Sequence, residues 1–263
     1  MKTNLSHIKP VELRHLIRKG IFTKPTSGLC PGFTQVNLVI IPSDLAYDFL
    51  LFTQRNPRPC PILEVADIGS RKLHYLAQDI DLANDFPKYN IYQYGKLTKT
   101  CQSVGNIWQK NFISFLIGCS FSFESELISS GIEVRNITEH VNVPMYKTNI
   151  PLRKAGPFQG KMVVSMRPIP EKQVPKVVQV TANMPKVHGA PIQIGDPSSI
   201  GINSLIRPDY GDPVTIKDGE IPVFWPCGVT PQNVIMNVKP SLVITHTPGH
   251  MLVTDIVNET LKY

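Results

Sequence analysis

The sequence predicts an α/β fold: a mixed or mostly parallel sheet domain with helices on both faces, joined to a smaller α+β domain. Three observations carry the prediction. An apolar run at residues 36–41, a helical pattern at 43–56 and a second apolar run at 62–65 follow one another at the spacing of a strand–helix–strand crossover, the unit from which parallel sheets are built. Beyond Gly131 the texture changes to short strand-like segments. Near Pro222 it reverts to a continuous apolar run. The expected partition is a discontinuous α/β sandwich domain of residues 1–128 and 215–263, with an α+β domain of residues 129–214 inserted into it.

Residues 9–20 predict the first helix: Pro10 sits in its first turn, Leu13, Leu16 and Ile17 share one face, and Gly20 stops it. The 36–41 run suits a strand buried on both faces. Ser43 can cap the next helix, in which Leu45, Phe49 and Phe52 keep helical spacing until Asn56, before Pro57, ends it. Residues 62–65 form a second short strand and the aromatic alternation at 89–94 a third. One or two helices are expected within 105–127, packed through Trp108, Phe112, Phe115 and Leu116. Strands then follow at 133–137, 141–146 and 161–167, and a helix at 171–183 with Pro175 in its first turns. A strand at 222–225, a helix opening near Thr230 with Pro231 at its first position, and a strand at 242–245 complete the chain.

Composition narrows the partners. Hydrophobic residues make up 42% and charged residues 18% of the 263, which excludes intrinsic disorder. The formal charge is +7, yet basic residues come in nothing longer than pairs such as Arg18-Lys19 and Arg153-Lys154. No polybasic run tracks a phosphate backbone, so the expected partner is a small anionic amino acid or hydroxy acid and not nucleic acid. Cys30, Cys60, Cys101, Cys119 and Cys227 are odd in number and widely spaced, which argues against a disulfide framework or a structural zinc site. Lys9, Glu12, Arg14 and Arg18 interrupt the stretch in which a signal peptide is apolar. The greasiest segment, 112–121, is half the roughly 20 residues a membrane span needs. A reduced, cytoplasmic location without membrane contact is expected, and a homo-oligomer is compatible with it.

Several local strings are too particular to be generic: Cys30-Pro31-Gly32 running to Gln35-Val36-Asn37; Gln54-Arg55-Asn56-Pro57 with Cys60-Pro61; Gly118-Cys119-Ser120-Phe121-Ser122-Phe123-Glu124; Tyr146-Lys147-Thr148-Asn149; and Val163-Val164-Ser165-Met166-Arg167-Pro168. They continue with Val187-His188-Gly189-Ala190-Pro191; Gly195-Asp196-Pro197; Pro208-Asp209-Tyr210-Gly211-Asp212; Phe224-Trp225-Pro226-Cys227-Gly228-Val229-Thr230-Pro231-Gln232; and the run from Thr245-His246-Thr247-Pro248-Gly249-His250 to Asp255. In this order, across residues 29–255, the set resembles the D-glutamate cyclase family, whose bacterial members are labelled hydro-lyases. The resemblance implies a two-domain α/β cytoplasmic lyase and, for the characterised branch, closure of D-glutamate to 5-oxo-D-proline with loss of water. It brings no assignment of catalytic residues, so those are argued from chemistry.

Closing glutamate on itself needs a base to strip the ammonium, an acid for the leaving oxygen, donors for the tetrahedral oxyanion and a cation for the second carboxylate. Ring closure is intramolecular and requires no ATP. Consistently, the chain lacks GxxxxGK[ST] and GxGxxG turns, and no cofactor is expected. Cys227 is placed at a strand exit before a helix N-terminus, a setting that lowers a thiol pKa; it is either a proton-transfer group or a small core residue. His246 and His250 flank a Pro248-Gly249 turn and, with Asp255, could supply an acid/base pair, a surface turn or a metal site with Cys227. Glu124 is a candidate general base or a salt-bridge residue. Arg167 is a carboxylate clamp or an interdomain ion pair. Arg55 and Asn56 at a helix end, and Tyr146, Asn149 and His188 in turn-rich segments, are candidate substrate contacts. Two other classes stay open on sequence alone: a non-catalytic ligand-binding partner or regulator in 5-oxoproline metabolism, and a metal-dependent hydrolase.

Overall fold

In the computed structural model, which describes residues 8–262, the strands divide between two sheets. In chain order they are β1 (Phe33–Pro42), β2 (Ile62–Val65), β3 (Tyr89–Gln93), β4 (Lys96–Cys101), β5 (Phe112–Gly118), β6 (Met145–Pro151), β7 (Lys161–Pro170), β8 (Gln193–Ile194), β9 (Glu220–Pro226), β10 (Val243–His246) and β11 (Leu252–Val257). The helices are α1 (Pro10–Arg18), α2 (Ser43–Arg55), α3 (Phe121–Ser129), α4 (Arg135–Thr138), α5 (Val174–Ala182) and α6 (Thr230–Val238). The larger sheet runs β2-β5-β1-β10-β3-β4 with β11 also on β1; the smaller runs β6-β7-β9-β8. No helix among the described residues is long and apolar enough to cross a membrane.

Every described pairing is antiparallel, which corrects the expectation of a mostly parallel sheet. The crossover itself exists. β1 and β2 run the same way, joined by α2, but β5 lies between them and opposes both. Strand–helix–strand spacing fixes relative direction and leaves adjacency open. The intervening strand comes from residues expected to be helical, because Phe112, Phe115 and Leu116 match helical spacing equally well when a strand is buried on both faces. Two further corrections concern 133–146: the expected strand at 133–137 is the short helix α4, and pairing begins only at Met145. Arg135 bonds Glu133 at 2.8 Å and Glu220 at 2.6 Å, an ion cluster that no alternation pattern announces.

The residues of β1 alternate between two cores. Val36, Leu38 and Ile40 face Leu76 and Phe86 of an irregular segment and Tyr89 of β3, whereas Val39 and Ile41 face Phe49 and Phe52 of α2. Helix α3 joins the sheets: its Phe123 and Leu127 pack with Trp225 and Val223 of β9 and with Val177 of α5. Although the sequence grouped residues 215–263 with the larger unit, β9 pairs with β7 and β8 in the smaller sheet.

Candidate functional site

Two strand ends meet where the sheets adjoin, beside the middle of β7. β5 finishes at Gly118 and passes through Cys119 and Ser120 into α3, while β9, paired with β7, ends in Pro226 before Cys227 and Gly228 lead to α6. Both glycines are required by close approach. A Cβ on Gly118 would stand 2.1 Å from the Lys186 carbonyl oxygen, and one on Gly228 2.0 Å from the Asn37 amide. That amide donates to the carbonyls of Gly118 (2.8 Å) and Ile117 (3.2 Å).

At this junction Arg167 and Glu124 form a buried ion pair. Glu124 Oε1 accepts from Arg167 Nη2 at 2.5 Å and Nε at 3.2 Å, while Ser120 and Ser165 accept from the guanidinium at 3.2 Å each. The guanidinium lies over the rings of Phe123 (5.1 Å) and Trp225 (5.6 Å), which suits arginine's weakly hydrated planar cation. The second carboxylate oxygen accepts from Ser27 at 2.8 Å. Glu124 also lines a surface pocket between the 28–33 loop and α3, together with Gln35, Phe121 and Ser125. Gln35 donates to the carbonyls of Thr26 (3.0 Å) and Leu29 (3.2 Å), and its Oε1 is buried without a partner among the described residues.

Cys227 stands at the strand exit before α6, as the sequence predicts, but its thiol behaves oppositely. Burial pushes it up to about 11, outweighing the Val229 backbone and Arg167. Cys119, in the same apolar cluster, is raised by burial too. Both thiols are protonated donors at neutral pH. His188 is held by Nδ1, which donates to the Arg58 carbonyl at 2.8 Å, and burial lowers it to about 4.

His246 has a structural task that sequence reasoning missed. β10 and β11 occupy one edge of β1, and the three steps from Val39 to Val36 face seven from Thr245 to Leu252. The extra residues loop out, and the His246 ring fills the interrupted ladder: Nδ1 accepts from the Leu38 N–H at 3.1 Å and from Gln232 at 3.0 Å. Burial lowers its pKa to about 3. His250, on the same loop, donates from Nδ1 to the Pro248 carbonyl at 3.1 Å and leaves Nε2 buried without a partner among the described residues. No group of three or more metal-type side chains occurs among the described residues.

Glu124, Arg167, His188 and Cys227 therefore gather at one junction, with the charge of Arg167 felt at both His188 and Cys227. The His246–His250 loop adjoins it through Met251, which packs with Cys119 and Cys227. The remaining candidates lie in other contacts. Asp255 binds Arg14 at 2.9 and 3.0 Å, pinning α1 to β11 and leaving the histidines without it. Asn56 latches onto the backbone of Arg153, donating at 2.8 Å and accepting at 2.9 Å; Arg55 donates to the Lys154 carbonyl at 2.5 Å. Tyr146 donates to the Leu205 carbonyl at 2.7 Å, and exposed Asn149 backs onto Gly201. Ser27, Gln35, Ser165 and Gln232 belong to the site network without having been singled out; all but Ser27 lie inside the quoted strings, which is where a signal existed.

A family model described as D-glutamate cyclase matches residues 113–255. A protein named "Putative hydro-lyase" from Clostridium beijerinckii is 62% identical over 98% of each chain. "Putative hydro-lyase YcsI" from Bacillus subtilis is 56% identical, covering 96% of this chain and 98% of its own. Among solved structures, a nitrogen repressor-like protein from Methanococcus jannaschii aligns with a TM-score of 0.39 and 9% identity over 95% of this chain and 99% of that chain. The family match spans the ends of β5, β7 and β9 and the whole His246–His250 loop, and with full-length identity above half it establishes that this chain is an enzyme of the D-glutamate cyclase family.

Proposed function

We propose that this enzyme is a cytoplasmic, cofactor-independent hydro-lyase that closes D-glutamate, or a closely related small acid, to 5-oxo-D-proline with loss of water. The observation that carries the reading is Glu124: a carboxylate fixed by Arg167 on one side and lining a pocket on the other, beside Gln35 Oε1, which has no partner among the described residues. Two acceptors on one wall suit a substrate ammonium. Glu124 takes the first ammonium proton, and the freed amine attacks the substrate's own side-chain carboxyl carbon. The carbon–nitrogen bond forms, the carbon–oxygen bond breaks, and hydroxyl leaves as water with one further amine proton. Holding both ends in one pocket supplies much of the acceleration, since well-oriented ring closures gain about 7–11 kcal/mol over bimolecular encounters. Cys227, kept protonated by burial, serves as a hydrogen-bond donor to the developing oxyanion and not as a nucleophile.

Incubation with D-glutamate, L-glutamate and 5-oxoproline, followed by proton NMR, tests this. Turnover of the D-isomer or of the lactam supports it; no turnover of any of the three by folded protein, with and without divalent metal, removes it. Glu124→Gln keeps the hydrogen bonds to Arg167 but not the proton acceptor, and is expected to lower kcat by about 100-fold or more.

A further inference from the structure

We propose that His188 receives the substrate's reacting carboxyl and keeps it in its protonated form, a role that rests on the cyclisation reading above. His188 ends the 185–187 turn in the left-handed backbone region, with φ 87°, and Gly189 follows at φ 70°. For a residue bearing a side chain that conformation is strained and persists only where the surroundings impose it. Here they do. The turn packs onto Gly118, which has no room for a Cβ. On the other side Arg58 accepts from the ring Nδ1 through its carbonyl and donates through its guanidinium to the Ala190 carbonyl. A carbonyl can only accept, so Nδ1 carries the proton and Nε2 presents a lone pair. That Nε2 is buried and has no hydrogen-bond partner among the described residues.

A buried acceptor without a donor calls for an N–H or O–H from a ligand. The charged groups facing the ring are Arg58 and Arg167, and Arg167 is neutralised by Glu124. The surroundings thus favour an uncharged donor over a second cation. A free carboxylic acid is one. With burial lowering the imidazole to about 4, the ring loses the advantage of about two units by which an ordinary histidine takes a carboxylic acid's proton. A histidine at its usual value of about 6.5 would take the proton and leave a carboxylate, which an amine does not attack. In the closure reaction the acid O–H donates to Nε2, the amine nitrogen bonds to the carbonyl carbon, and the hydroxyl departs as water with its own hydrogen and one from the amine. The other ammonium proton passes to Glu124, and His188 ends as it began. Arg58, whose carbonyl holds the ring, is exposed together with Arg55, Arg153 and Lys154, and all four are absent from the ion pairs among the described residues, a cationic surface that attracts an anionic acid.

His188→Asn is the informative variant, because asparagine tolerates the left-handed conformation while its shorter side chain withdraws the acceptor. Wild type and variant are compared on D-glutamate and on its side-chain methyl ester, which has no acid proton to hold and releases methanol. The variant is expected to lose about 100-fold on the acid and to stay within about threefold on the ester. Equal loss on both, or no loss on the acid, overturns the assignment. Independently, the ¹⁵N resonance of His188 Nε2 in the wild type is expected to move when D-glutamate is added. Movement without turnover of acid or ester leaves the carboxyl site standing and removes the cyclisation reading. Turnover with an unmoved resonance and an unaffected variant does the reverse, and neither movement nor turnover removes both.

Discussion

Arg167 directs four hydrogen bonds to Glu124, Ser120 and Ser165 while almost fully buried. Its removal strands Glu124 in a dry site. Arg167→Ala is expected to destabilise the fold by about 3–5 kcal/mol, read as a lowered urea midpoint, and Arg167→Lys to rescue little because an ammonium cannot reproduce the planar fork. The cysteines give a second prediction. Burial keeps the Cys227 and Cys119 thiols protonated, whereas Cys101 is the partly exposed one among the five. Iodoacetamide at about pH 7 is expected to modify Cys101 and spare Cys227, since only the thiolate reacts. Peptide mass mapping checks it, and rapid labelling of Cys227 would show that the start of α6 ionises it after all. The sequence placed Cys227 correctly between strand and helix but could not show the depth of burial that decides its chemistry.

At the scale of elements, the interruption between β10 and β11 matters most. The Pro248-Gly249 turn was legible between His246 and His250; the pairing of both flanking strands with β1 was not, because register across some 200 residues leaves no local trace. His246 fills that interruption, and its pKa of about 3, like the value of about 4 at His188, lies below the ordinary 6.5. The folded protein therefore binds fewer protons than the unfolded chain between these values and pH 6.5. Stability is full above that window and is lost as pH falls through it. With two such groups the slope approaches about 3 kcal/mol per pH unit between about pH 4 and 6, measurable by urea titration across pH. His246→Leu should remove half of that slope and cost a further 1–3 kcal/mol or so by leaving the Leu38 N–H unpaired; an unchanged slope would mean the ring is not buried neutral.

For the whole molecule, the sequence conveyed the α/β class, most of its helices and the strands at 36–41, 62–65, 161–167 and 222–225, all of which carry local apolar patterns. It did not convey antiparallel pairing, since β5 reads as helix and the lysine-bearing edge strand β4 carries no apolar signal. The same limit applies to the site. Glu124, Arg167, His188 and Cys227 were each legible as polar or reactive residues in particular strings, but their meeting depends on the 185–187 turn closing on Gly118 and on Asn37 of β1 closing on Gly228. Gly118→Ala is expected to cost about 1–3 kcal/mol or more, because the obstructing atom is a backbone carbonyl and not a movable side chain. The central claim is that this junction breaks a carbon–oxygen bond by intramolecular amine attack. D-glutamate carrying ¹⁸O in both side-chain carboxyl oxygens tests it most directly by mass spectrometry: one label retained in the lactam carbonyl and one released as water is the expected result, and no lactam, or a lactam stripped of both labels, would contradict it.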